Sequence, residues 1–317
     1  MGISTISDWT GQIGVLTIGA IRAEGGTRSH VVRIGGEKDL PCIGSPPTGH
    51  MPVVAYEIAD DAGRWPAVAS RAAGEVSSDP AAWARYAETE IRPDIIRLYL
   101  TSTRSHGFSD TAGIRKTIEE VLQATSLPLI IEGSNDPAID SEVYLTIGEA
   151  AAGERILLGT AEANRYRSVA AAAMAYGHSI IAQSPIDINL AKQLNILLRE
   201  IGIPRDRIAI DPYTGALGYG FEYSYSVMER IRTAALKGDE DLAMPMISSA
   251  VDSLTVKEVR EAEGDDADRI AVAWELYAML PAYLAGAAIV SARHPKTIPL
   301  LRDACSSIFQ AHHGGGE

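Results

Sequence analysis

From about residue 50 onward the chain repeats one pattern, a short β-branched run, a polar loop rich in Gly, Pro, Asn and Asp, then a longer segment with helical spacing. The runs predict eight strands, at 53–57, 95–100, 129–132, 156–159, 179–183, 208–211, 244–248 and 287–291. Most are continuously apolar rather than alternating, as strands covered on both faces are. Between them lie helix signals. Asp79-Pro80 supplies an N-cap and a first-turn proline before a helix over 81–89, and Gly177, Gly202 and Gly238 each close an apolar-periodic stretch. Strands separated by single helices form parallel βαβ units, and eight such units close into an α/β fold of the (β/α)₈ TIM barrel type. A doubly wound sheet is the competing arrangement.

The first 50 residues follow another rhythm. Short apolar alternations at Ile13/Val15 and 31–34, punctuated by Gly25-Gly26 and ended by Gly35-Gly36, predict a hairpin-like extension that either plugs the bottom of the barrel or docks on another subunit. The expected organisation is therefore an N-terminal extension over 1–50 packed on the barrel or a partner, a TIM barrel over 51–311, and a disordered tail over 312–317. The pair His312-His313 in that tail reads as a frayed terminus rather than a metal site.

Composition narrows the function. With 46% hydrophobic and 22% charged residues the chain has material for a large core. A formal net charge of −13 opposes phosphate backbones and anionic membranes, so nucleic acid and membrane are excluded as partners. Cys42 and Cys305 are too few for a disulfide framework, a Cys₄ zinc site or a self-contained iron–sulfur cluster. The start, from Met1 to Trp9, lacks a signal peptide's basic and apolar regions, which predicts a cytoplasmic protein.

In a barrel of this kind chemistry sits on the loops after the strands' carboxyl ends. Those loops carry the candidate cofactor-binding residues Asn135, Asn164, Gln183, Asp187, Asp211, Thr214, Gly215, Arg293 and His294. Asn135, Asp187 and Asp211 each also suit a cap or turn. Glycines in 211–220 permit close approach to a flat ligand but read GxxGxG, which licenses no dinucleotide or P-loop assignment. Arg293, His294 and Lys296 precede a helix, where barrels often hold an anion and where a capping role is at least as good a reading. Glu57 and Glu132 end apolar strands, either as general acids or, the favoured reading, salt-bridged inside the barrel. Tyr213, Tyr219, Phe221, Tyr223 and Tyr225 suit a flat ligand or partner as well as they suit core packing. No HExxH or GxSxG occurs, no metal site is expected, and no catalytic residue is assigned. Nor does any histidine sit in the DxHxxG setting that ligates cobalt in many corrinoid domains.

Three segments carry a family resemblance: Ala173-Met174-Ala175-Tyr176-Gly177-His178, the run 184–195 from Ser184-Pro185-Ile186-Asp187 to Asn195, and the run 211–220 from Asp211-Pro212-Tyr213-Thr214 to Gly220. With 221–232, 237–246, Gly35-Gly36-Glu37 and Arg293-His294-Pro295-Lys296, the chain resembles the corrinoid/iron–sulfur protein small subunit, the delta subunit family of acetyl-CoA decarbonylase/synthase complexes. The resemblance is weaker between Met246 and Trp274. It implies a non-self-sufficient barrel paired as a heterodimer with a large subunit that carries cobalamin and a 4Fe-4S cluster. Cobalamin would lie at the interface, with no cofactor anchored by this chain alone. The complex would pass a methyl group from a methyltetrahydropterin, through its methyltransferase, to acetyl-CoA synthase/CO dehydrogenase in the Wood–Ljungdahl pathway or its reverse. A pterin-binding methyltransferase acting on a corrinoid protein and a non-catalytic scaffold are the alternatives.

Overall fold

A computed structural model describes residues 9–40, 48–103, 110–133 and 137–311. Two strands, β1 (Val15–Ile18) and β2 (Val32–Gly35), form an antiparallel pair in which Leu16 faces Ile34 and Ile18 faces Val32. The next eight strands close a parallel barrel: β3 (Val53–Ala59), β4 (Ile95–Tyr99), β5 (Leu129–Glu132), β6 (Leu157–Ala161), β7 (Ser179–Gln183), β8 (Ile208–Asp211), β9 (Met246–Ser249) and β10 (Ala287–Ala292). They run in chain order around the barrel, and β10 closes it against β3. Each predicted run thus overlaps a barrel strand.

Among the helices, α1 (Ala67–Ala73) and α2 (Pro80–Tyr86) follow β3, and α3 (Thr111–Ala124) follows β4. Then α4 (Pro137–Ala150), α5 (Tyr166–Tyr176), α6 (Ile188–Glu200) and α7 (Phe221–Leu236) each follow one strand. Two helices, α8 (Lys257–Arg260) and α9 (Asp265–Leu284), follow β9, and α10 (Thr297–Ala311) follows β10. The helix signals read from the sequence are present. The Asp79 carboxylate accepts the Ala81 N–H at 2.9 Å, and Gly177, Gly202 and Gly238 have φ of 76°, 107° and 101°. The helix predicted over 81–89 is shorter as α-helix, because at Ala87 its hydrogen bonding widens to a π-type turn through Ile91.

Parity along the strands divides the core in two. Outward residues such as Tyr56, Ile58, Leu98, Ile131 and Ile180 pack on the helices. Inward residues Val53, Ala55, Ile95, Ile130, Leu157, Ile181, Ala209, Ile247 and Ile289 form a separate cluster inside the barrel, joined by Leu16, Ile18, Val32 and Ile34 of the β1–β2 pair. The extension therefore stoppers the barrel at the strands' amino ends. Each of its fully buried aliphatic side chains contributes roughly 1.5–3 kcal/mol. Among the described residues no helix is long and apolar enough to cross a membrane.

Polar bolts fix the stopper. Arg28 is buried and donates to Glu154 at 2.7 Å and to the carbonyls of Leu122, Thr125 and Leu127. Glu154 also accepts from the Thr27 N–H and hydroxyl. Arg232, equally buried, pairs with Glu37 at 3.2 Å and donates to the Gly286 carbonyl. Removing one member of a buried pair leaves the other charged and desolvated. Arg28→Ala is therefore expected to lower unfolding free energy by about 3–5 kcal/mol in urea titration; a loss under about 1 kcal/mol, the range of an exposed pair, would contradict this account of the bolt.

Candidate functional site at the barrel mouth

Strand parity also determines what reaches the opposite end. Two or four residues beyond the apolar inward layer, the strands and their ends place Glu57, Arg97 and Tyr99, Glu132, Gln183, Asp211, Ser249, Ser291 and Arg293 around the mouth. Glu57, Arg97, Glu132 and Ser291 are essentially inaccessible to solvent. Charges in so dry a place persist only if paired and hydrogen-bonded.

Arg97 is the centre of that pairing. Its Nε donates to Glu132 at 2.5 Å, its Nη1 donates to the Ser291 hydroxyl at 3.0 Å and lies 3.5 Å from Glu57, and its guanidinium sits 5.2 Å from the Tyr99 ring centroid. Glu57 is saturated, accepting from Arg293 at 2.8 Å, from Ser291 at 2.5 Å and from Ser249. Arg293 lies 3.9 Å from the Trp65 ring centroid, within cation–π range. Across the mouth, Asp211 accepts from Gln183 at 3.0 Å and from the Tyr213 N–H at 2.8 Å. Thr214 shares a hydrogen bond with Ser248 at 2.7 Å.

Between these groups is a cavity of about 200 Å³, lined by Arg97, Glu132, Gln183, Asp211, Tyr213, Thr214, Ser249 and Arg293 among others. Burial raises the Glu132 carboxyl to about 6, with Asp211 and Glu57 adding repulsion and Arg97 opposing it. Asp211 is raised chiefly by burial. Burial also pushes Glu57 upward, but Arg293 and Arg97 outweigh it and hold that group below the usual range.

The candidate residues separate. Gln183, Asp211, Thr214 and Arg293 meet at the cavity. Asp187 caps α6, its carboxylate accepting from the Asn189 and Leu190 N–H groups. Asn164 is exposed in the turn after β6. Gly215 donates its N–H to Ser224, which fastens the loop to α7. The His294 ring is buried beside Asp268, 3.3 Å away. Asn135 lies outside the described residues. Of the aromatic run, Phe221 and Tyr225 pack together at 6.4 Å, Tyr213 lines the cavity, and Tyr219 and Tyr223 are exposed.

The proposed anion place at the start of α10 is filled from within. The buried Glu275 carboxylate accepts the N–H groups of Arg293 and His294 at 2.7 and 3.1 Å and the Thr297 hydroxyl at 2.7 Å. The residues missed by the candidate set are Arg97, Ser249, Ser291, Trp65 and Glu275. A signal existed for the first, since an arginine inside the apolar run 95–100 must find partners in a dry interior.

Fold and mouth together define a TIM-barrel protein with a small polar cavity at its strands' carboxyl ends. The family described as "CO dehydrogenase/acetyl-CoA synthase delta subunit" matches residues 16–289, and the chain belongs to it. The acetyl-CoA decarbonylase/synthase complex subunit delta 1 of Methanosarcina thermophila is 34% identical over 97% of this chain and 73% of its own length. The delta subunit of Methanothermobacter thermautotrophicus is 36% identical over 94% of this chain and 76% of its own. Among solved structures, dihydropteroate synthase of Xanthomonas albilineans with 4-aminobenzoic acid superposes with a TM-score of 0.58 at 18% identity, covering 87% of this chain and 99% of that one. The Yersinia pestis dihydropteroate synthase gives 0.58 at 13%, covering 82% and 94%. These likenesses establish the barrel fold.

The buried acids make stability depend on pH. Burial raises Glu275 from 4.5 to about 7 and Glu132 to about 6, so the folded chain keeps protons there that the unfolded chain releases. Their contribution is full below 4.5 and declines as pH rises through those values. Glu57, held low, works the other way and loses its contribution only as pH falls below the usual carboxylate range. Urea midpoints are expected to fall between about pH 5 and 7.5 and to fall less in Glu275→Gln. An unaltered slope in that variant would remove Glu275 from the account.

Proposed function

We propose that this chain is the barrel subunit of a methyl-carrying corrinoid/iron–sulfur protein. A larger subunit would hold the corrinoid and the cluster, and this chain's carboxyl rim would cover the corrin. The observation that carries the reading is delta-subunit similarity extending over nearly the whole chain, from the stopper strands through the last barrel strand.

The residues at the rim suit such a role. A cavity of about 200 Å³ is too small to take in a corrin macrocycle, so the ring would lie across the mouth. There Tyr213, the half-buried Leu217 and the exposed Tyr219 offer apolar and aromatic contact, and the polar floor beneath is already paired with itself. Two of the described histidine rings are spent inside the chain, His178 on the Gly148 carbonyl and His294 beside Asp268. Cobalt would supply a strongly nucleophilic centre for the methyl group when reduced. This chain's part is to exclude water and hold a fixed polar floor below the reactive face. The methyl group would come from a methyltetrahydropterin through its methyltransferase and go to acetyl-CoA synthase.

Co-expression with a corrinoid-bearing large subunit provides the test. A complex that elutes as one species with the corrinoid's visible absorption is expected; elution of this chain alone, correctly folded, would refute the subunit reading. The second reading, a pterin-binding methyltransferase, is favoured by the donor and acceptor groups of Gln183, Asp211 and Glu132 in one cavity. Calorimetry of the isolated chain with methyltetrahydrofolate distinguishes them. No heat beyond dilution is expected, and saturable micromolar binding would favour the enzyme.

A further inference from the structure

The outer side of the hairpin is charged where its inner side is apolar. Pairing of β1 with β2 sends Leu16, Ile18, Val32 and Ile34 into the lumen and turns the alternate positions Val15, Thr17 and Arg33 outward, with Arg33 opposite Thr17. Two more arginines, Arg205 and Arg207, lie in the turn that opens β8 and packs against β1. Arg155 precedes β6, where its carbonyl accepts the Gly19 N–H at 2.8 Å, and Arg22 is exposed in the turn after β1. Two of these cations are neutralised, Arg155 by Glu24 at 3.5 Å and Arg205 by Glu240 at 2.6 Å. Arg22, Arg33 and Arg207 make no ion pair among the described residues. The turn's own acid, Asp206, offsets one charge, so a positive excess surrounds the 38%-exposed Val15 although the whole chain carries −13.

Crowded like charges oppose folding, so this face gains nothing for the chain by itself. An apolar centre ringed by arginine is what protein interfaces concentrate, and guanidinium groups match carboxylates in two-point geometry. Resting on the reading above, in which the mouth is given to the corrin-bearing subunit, we infer that Val15, Arg22, Arg33 and Arg207 dock a carboxylate-bearing face of a further protein subunit. A protein surface fits better than a polyphosphate or an anionic membrane. The chain's overall charge repels an extended anion at long range, whereas a compact acidic face meets chiefly the local excess. The two ends of the barrel then hold two partners at once.

Charge reversal in the full chain, Arg33→Glu with Arg207→Glu, tests the face, with the acetyl-CoA synthase of the proposed function as the probe. The wild-type chain is expected to bind it with an affinity that falls as salt rises, and the double variant to bind at least about tenfold more weakly at low salt. Arg269→Glu, on the outside of α9, should stay within about twofold. The double variant's affinity for the corrin-bearing partner should not change, and its urea midpoint should equal or exceed the wild type's, because reversal relieves the crowding. Unaltered probe binding by the double variant, an equal loss in Arg269→Glu, or a wild-type chain that does not bind the probe overturns the inference. Salt-sensitive probe binding lost on reversal, by a chain that does not bind the corrin-bearing partner, would refute the subunit reading and still support this face.

Discussion

Arg97 is the interaction on which the mouth depends. Closing eight strands into a barrel forces each strand's last inward residues into a space that water hardly reaches, and here those residues include three carboxylates. Like charges so close and so dry cannot all remain ionised unaided. Arg97 bridges Glu57 and Glu132, and Arg293 completes the pairing of Glu57 while stacking on Trp65. Burial works against the guanidinium charge of Arg97, and the carboxylates around it, Glu132 foremost, more than reverse that and hold its pKa above the usual guanidinium range. The imbalance falls on Glu132 and Asp211, the two acids at the cavity whose protons are held most tightly.

The two ends of the barrel are built on opposite principles. At the strands' amino ends an apolar hairpin fills the lumen, and its polar bolts lie outside that packing. At the carboxyl ends the lumen is filled by a polar lattice, and the anion place at the last helix is filled by Glu275. Groups that in other barrels would meet a ligand are here bonded to each other. This favours a surface that is laid against something over a pocket that performs chemistry alone.

The barrel was legible because continuous apolar runs and intervening helices have a period that one sequence displays, and the overlap of all eight runs with strands reflects this. The mouth was legible only where polarity breaks a pattern. Glu57 and Glu132 stood out at strand ends, and their reading as salt-bridged groups agrees with their shared contact to Arg97. Asp187 shows the opposite case, since a carboxylate two residues before a helix interior serves its own backbone whether or not a site is near. Glu275 had no signal at all. It projects from the middle of α9, eighteen residues from the N–H it accepts, and that contact is a product of tertiary packing.

The central claim is that the carboxyl rim faces a corrin held by another subunit. An experimental structure of the chain bound to its corrinoid-bearing partner tests it most directly. The account predicts the corrin side of the partner lying across the barrel mouth at the strands' carboxyl ends, with the hairpin end left free. A partner docked on the hairpin or the outer helices, with the rim open to solvent, would contradict it.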